Sequence, residues 1–172
     1  MKNISIALIL LVVTLASCQK EGNDPDTNSS NNGGNSNPIV YNVNKSTMLQ
    51  LVNEARQKGC TCGATVMPAV APLTWNDLLA KAAYDHTKDM YTNKYLSHTG
   101  QNGSDPGQRI KAAGYSWSAN GENIASGQTS EQQVVAGWLS SEGHCKNIMN
   151  SRFKEIGVGR EGNIWAQVFA VK

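Results

Sequence analysis

The chain has 172 residues, with 15 Lys and Arg against 13 Asp and Glu and three His, for a formal net charge of +2. So close a balance leaves no electrostatic case for nucleic acid binding, which needs a strongly basic face. The first seventeen residues, MKNISIALILLVVTLAS, place one lysine ahead of an uninterrupted apolar run and finish in small residues, the pattern of a secretory signal. About ten apolar residues are too few to cross a bilayer as a stable helix.

The ending Leu15-Ala16-Ser17-Cys18 resembles the lipobox of bacterial lipoproteins. That resemblance implies a lipidated Cys18 as first mature residue and an anchor in a membrane of the cell envelope. Residues 18–40 then form a tether, because QKEGNDPDTNSSNNGGNSNPIV has too little apolar surface to offset the entropy of ordering it. Glu21, Asp24 and Asp26 resemble signals that send some lipoproteins to the outer face of the outer membrane, and read equally as an ordinary solvated linker. Residues 41–172 are one domain's worth of chain, enough for a single core.

Within that domain Asn44 is placed to cap a first helix over residues 45–57, in which Met48, Leu51, Val52 and Ala55 recur at spacings of three and four. The turn Gly59-Cys60-Thr61-Cys62-Gly63 ends it. A second helix is marked by Thr74 three residues ahead of Asp77, close to a capping box, after which Trp75, Leu78, Leu79, Ala82, Ala83, His86 and Met90 share a face out to about Asn93. A short helix is expected over residues 105–113, with Pro106 in its first turn and Gly114 past its end. Ser130 and Gln133 suggest a further capping box, opening a helix that turns Val134, Val135, Trp138 and Leu139 inward.

The composition then shifts toward β-branched and aromatic residues, and FKEIGVGRE and NIWAQVFAVK read as two strands joined across Glu161-Gly162-Asn163. Helices first, a late β-hairpin and no βαβ alternation make the fold α+β. Residues 97–129, punctuated by Gly103, Gly107, Gly121 and Gly127, form a loop region too long to be structureless in a compact domain unless it has a function. The sequence contains no internal repeat, no glycine-rich phosphate loop and no paired-cysteine zinc spacing.

The histidines are His86, His98 and His144. His86 lies on the apolar stripe of the second helix and reads as a core imidazole. His98 follows the end of that helix in Tyr95-Leu96-Ser97-His98-Thr99-Gly100, where it can stand at the rim of a pocket. Glu122, between Gly121 and Asn123, reads on composition alone as a turn acid. His144 can return toward the same pocket. Two neutral imidazoles and a carboxylate can bind a divalent ion such as zinc, or do general acid/base work, and residue types alone leave both open. A catalytic Cys145 would need a base at its sulfur, and adjacent side chains diverge, so His144 is poorly placed for that role.

The ordered segments Asn93-Lys94-Tyr95-Leu96-Ser97-His98-Thr99-Gly100, Arg109-Ile110 with Gly114-Tyr115, Gly121-Glu122-Asn123-Ile124-Ala125, Trp138 with Ser141 and Gly143-His144, Asn147-Ile148-Met149, Glu155-Ile156-Gly157-Val158-Gly159 and Trp165-Ala166-Gln167-Val168-Phe169 resemble the motifs of the CAP superfamily. This is the family of cysteine-rich secretory proteins, antigen 5 and plant pathogenesis-related proteins, here in its bacterial SCP-like branch. The resemblance implies an α-β-α sandwich with a central antiparallel sheet and a cavity lined by two histidines and two acids. His98 and His144 match the cavity histidines, between which members can hold a divalent metal, often zinc, and Glu122 matches the first acid. The position of the second acid, three residues beyond Trp138, is Ser141 here; the adjacent Glu142 is a candidate by proximity only.

The resemblance also bears on the cysteines. A Cys-Gly after the first helix accompanies Gly-His-Cys in related bacterial sequences, which implies a Cys62–Cys145 disulfide, with Cys60–Cys145 as the alternative and a strained Cys60–Cys62 pair last. Two functions follow as expectations. One is a lipid-anchored envelope binding module for a metal and a lipid, sterol-like or glycan ligand; the other is a hydrolase in which metal-bound water or Glu122 attacks a peptide or cell-envelope polysaccharide.

Overall fold

The computed structural model describes residues 41–172; the signal segment, Cys18 and the tether lie outside the described residues. Five helices and six strands follow in the order α1 (Lys45–Lys58), β1 (Cys60–Cys62), β2 (Thr65–Met67), β3 (Thr74–Trp75), α2 (Asp77–Asn93), α3 (Pro106–Ala112), β4 (Ala119–Ser126), α4 (Glu131–Ser140), α5 (Glu142–Ile148), β5 (Glu155–Glu161) and β6 (Ile164–Val171). The main sheet has the order β3-β5-β6-β4. Its three long strands are antiparallel, and the two-residue β3 joins the β5 edge in parallel.

Side-chain caps set the starts of α1 to α4. Asn44 Oδ1 accepts the Thr47 amide at 3.0 Å to open α1, and α1 ends at Gly59, whose φ of 73° a β-carbon would resist. Asp105 and Gln108 bond each other reciprocally in a full capping box at α3. Ser130 opens α4 as expected, but Gln133 reaches back to the Thr129 amide and hydroxyl rather than to Ser130. At α2 the cap is Asn76, not Thr74, because Thr74 and Trp75 are drawn into extended pairing with Glu155 and Ile156. Trp75 therefore leaves the helical stripe, and Leu78, in the first turn of the helix, stands 41% exposed.

The sheet is covered on both faces. On one side Met48, Val52, Val134, Trp138 and Ile148 from α1, α4 and α5 pack against Ile156, Val158, Trp165 and Phe169. On the other, Leu79, Ala83 and Met90 of α2 and Ile110 of α3 pack against Ala166, Val168 and Ala170. Alternation along β6 sends Trp165 and Phe169 one way and the three smaller residues the other. Burying either large aromatic side chain contributes about 2–3 kcal/mol of transfer free energy. The contact of α2 with the sheet is closest at Gly157 and Gly159 of β5, where an added β-carbon would fall 2.0 Å from the Ala80 amide nitrogen and 2.4 Å from Tyr84 Cα. The architecture is the α-β-α sandwich expected from the motifs.

Two devices fix α5, which carries His144. Cys145 is disulfide-bonded to Cys62 of β1, with 5.4 Å between their α-carbons. Closing a loop of this length stabilises the native state by about 4 kcal/mol in the chain-entropy account. The second device is Arg56, fully buried in α1. Its guanidinium donates to the backbone oxygens of Ala71 (2.8 Å), Ile148 (2.6 Å), Asn150 (3.0 Å) and Phe153 (3.5 Å), which ties the end of α5 and the turn after it to α1.

Candidate functional site

Three elements meet at one carboxylate: the loop after α2 supplies His98, α3 supplies Arg109 and β4 supplies Glu122, while α5 carries His144 near enough to His98 to be influenced by its charge. Glu122 is the centre. Its side chain is 2% exposed, and both carboxylate oxygens are engaged, Oε1 with His98 Nδ1 at 2.8 Å and Oε2 with Arg109 Nη2 at 2.8 Å. Arg109 also donates to the backbone oxygens of His98 and Ser104, so one guanidinium holds both the loop and the acid that orients its imidazole. A carboxylate accepts, so the proton of the neutral His98 ring sits on Nδ1 and the Nε2 lone pair is free. The His98 side chain is 53% exposed.

The hydrogen bond to Glu122 raises the His98 pKa above its ordinary value, with burial and the Arg109 charge opposing. His144 is shifted the other way, first by burial and then by the nearby His98 charge, so its imidazole is held neutral. Metal-free protein followed by imidazole proton NMR is expected to show His98 titrating above His144, with Glu122→Gln moving His98 down and leaving His144 nearly in place. Because the folded pKa of His98 is raised, the stability it contributes is fully present below the unfolded value of about 6.5 and is lost as pH rises through the folded value. His98→Ala should therefore lower the melting temperature more at pH 5 than at pH 8; an equal loss at both would refute the ion-pair role.

His86 is buried as its helical position predicts, with Nε2 on the Ser97 oxygen at 2.9 Å. It nevertheless borders the site, at 4.0 Å from Glu122 Oε1, and burial depresses its pKa. An amide ladder starts from the Glu122 backbone: Asn147 Nδ2 donates to the Glu122 carbonyl and to Asn123 Oδ1, while Asn123 Nδ2 donates to Gln167 Oε1 and the His144 carbonyl. Glu142 takes a different place. Its carboxylate pairs with Lys146 at 2.5 Å and lies over Gly63 of the β1–β2 turn, where a β-carbon would come within 2.6 Å of it. A cleft of about 470 Å³ is lined by Arg109 together with Lys81, Asp85, His86, Asp89 and Ser104.

The donor chemistry fits the divalent ion that the resemblance implies. His98, with Nδ1 tied to a buried carboxylate, presents Nε2 in the carboxylate–histidine arrangement common at metal sites, and the depressed pKa of His144 keeps its lone pair available. Arg109 stands among the motif residues without a role, and no sequence signal marks the part it plays here.

Known proteins share this chain's features at several levels. The sequence model of CAP, the cysteine-rich secretory protein family, matches residues 49–168. Uncharacterized protein YkwD of Bacillus subtilis (strain 168) is 35% identical over 150 residues, 86% of this chain and 55% of that protein. Uncharacterized membrane protein YlbC of the same organism is 30% identical over 77% of this chain and 38% of its own length. This chain thus spans about half or less of the two curated relatives. Among solved structures, an extracellular protein containing an SCP domain from Bacillus anthracis superimposes with a TM-score of 0.69 at 30% identity, over 81% of this chain and 45% of its own. An outer surface protein from Borrelia burgdorferi does so with a TM-score of 0.63 at 25% identity, over 74% of this chain and 91% of its own. With residues 49–168 matched by the family model, most of the described domain, the chain belongs to the CAP family of cysteine-rich secretory proteins.

Proposed function

We propose that this protein is a lipid-anchored CAP-domain binding module of the cell envelope, holding a divalent cation such as zinc between His98 and His144 and presenting it to a lipid, sterol-like or glycan ligand. The observation that carries this is the state of Glu122: both oxygens are engaged and its side chain is 2% exposed, so it serves to aim His98 rather than to attack or to take a proton from water. That supports a binding role for the free Nε2 of His98 and weighs against a hydrolase with Glu122 as base. The apolar signal ending at Cys18 supports the anchor, and similarity to an extracellular and an outer surface protein supports placement outside the cytoplasm. Among the described residues no helix is long and apolar enough to cross a membrane.

Calorimetric zinc titration of purified protein tests this reading. His98→Ala and His144→Ala should each abolish measurable binding, and Glu122→Gln, which leaves both ligands in place, should weaken it roughly 10–100-fold, as loss of an outer-shell partner does. Unchanged binding in the His98→Ala, His144→Ala double variant would sink the proposal.

A further inference from the structure

Away from that site, three sulfurs converge where β1 meets α5. Cys60 and Cys62 alternate with Thr61 along β1 and so share one face of the strand, opposite Cys145. The third thiol, Cys60, is free and partly exposed, with Sγ at 3.6 Å from Cys145 Sγ and 3.9 Å from Cys62 Sγ. Cys62 and Cys145 are fully buried. The three atoms form the only cluster of at least three His, Cys, Asp or Glu ligand atoms found within 4.8 Å of one another among the described residues.

The nearly equal distances decide between two uses. A thiol poised to exchange with a disulfide stands in line behind one sulfur, much farther from the other. Cys60 stands beside the bond instead, at the apex of a triangle. Thiolates about 2.3 Å from a shared zinc ion are separated by about 3.8 Å in tetrahedral geometry, and the Cys60 distances straddle that value. We propose that the cluster is a reduction-gated site for a thiophilic cation, Zn2+ or Cu+, with Cys60, Cys62 and Cys145 as thiolate ligands. A dithiol, oxidised to its own disulfide, or a phosphine, oxidised with water to the phosphine oxide, supplies two electrons and two protons to the Cys62–Cys145 bond, whose sulfurs become thiols. The entering cation displaces the protons of all three thiols, and the metal replaces the covalent link between β1 and α5. This site is independent of the His98 and His144 reading.

The test uses Co2+ as a spectroscopic probe and Zn2+ as competitor on the full chain, reduced with a phosphine and freed of it under anaerobic conditions. Near-ultraviolet circular dichroism monitors the fold. The reduced protein should bind one Co2+ with sulfur-to-cobalt charge transfer that Zn2+ abolishes, while the oxidised protein shows none. Cys60→Ser, which keeps the disulfide, should after reduction weaken Zn2+ binding by more than the roughly 10–100-fold typical of an outer-shell loss. The His98→Ala, His144→Ala variant should retain the charge-transfer signal in full. The proposal is overturned by a folded, reduced protein without that signal, by Cys60→Ser binding as wild type does, or by a reduced protein that unfolds and is not restored by Zn2+. Peptide mapping of the untreated protein that finds Cys60 bridged to Cys145 would also overturn it, in favour of an exchanging disulfide.

Discussion

Gly157→Ala is expected to destabilise the protein by about 3 kcal/mol, the upper range for overpacking a core, through a single methyl group. The added β-carbon would fall 2.0 Å from the Ala80 nitrogen and 2.3 Å from the Leu79 carbonyl carbon. Both are backbone atoms of α2, so no side chain can swing aside and the helix itself must lift. Lifting it opens the contacts of Leu79, Ala83 and Met90 with β6. For a domain of this size the melting temperature should fall by about 10 °C. Gly143→Ala is the control, since a β-carbon there meets nothing within 4 Å. That change should be neutral or stabilising by about 0.5–1 kcal/mol. Equal melting temperatures for the two variants would refute the close approach of α2 to the sheet.

Arg56→Met should be at least as damaging, costing about 3–5 kcal/mol in urea unfolding, because it strands buried carbonyls that each cost about 1–3 kcal/mol when unpaired. Arg56 meets no carboxylate within ion-pair distance among the described residues. Its charge is solvated by the carbonyls of Ala71, Ile148, Asn150 and Phe153, and burial lowers its pKa without making it neutral at working pH. Arg56→Lys should fall between wild type and Arg56→Met, since an ammonium has three donors but cannot spread them over a fork. The proposed zinc affinity should fall with stability, because Ile148 and Asn150 lie at the end of α5, the helix that carries His144, and in the turn after it. A methionine variant as stable as wild type would show that the guanidinium is not a clamp.

Much of the framework is legible in the sequence because its signals are local. Asn44, Asp105 and Ser130 cap the helices they precede, and β5 and β6 carry the β-branched and aromatic residues of strands. What escapes is instructive. β4, Ala119–Ser126, reads as part of a long loop because Asn120-Gly121-Glu122-Asn123 has none of the apolar alternation of a strand. Its inner positions are given to the carboxylate and to the amide ladder instead, so the function of the segment erases its structural signature. α5 escapes for the opposite reason: seven residues with Gly143 near the start and no side-chain cap at Ser141 give no helical signal, and tertiary ties form it. Thr74 and Trp75 mislead because pairing with β5 outweighs helix propensity ahead of α2. His98, Glu122 and His144 stand out through the order of the family's motifs, while the part played by Arg109 emerges only from three-dimensional contact.

The amide ladder behind Glu122 has a consequence for how the molecule lives among its copies. β4 is the outermost strand of the sheet, and an outermost strand normally offers its free backbone groups to any passing chain. Here Asn147, reaching from α5, occupies the Glu122 carbonyl at 3.2 Å. The helix that carries His144 thus also covers one free group on that open border, so loosening α5 would return the Glu122 carbonyl to whatever comes alongside.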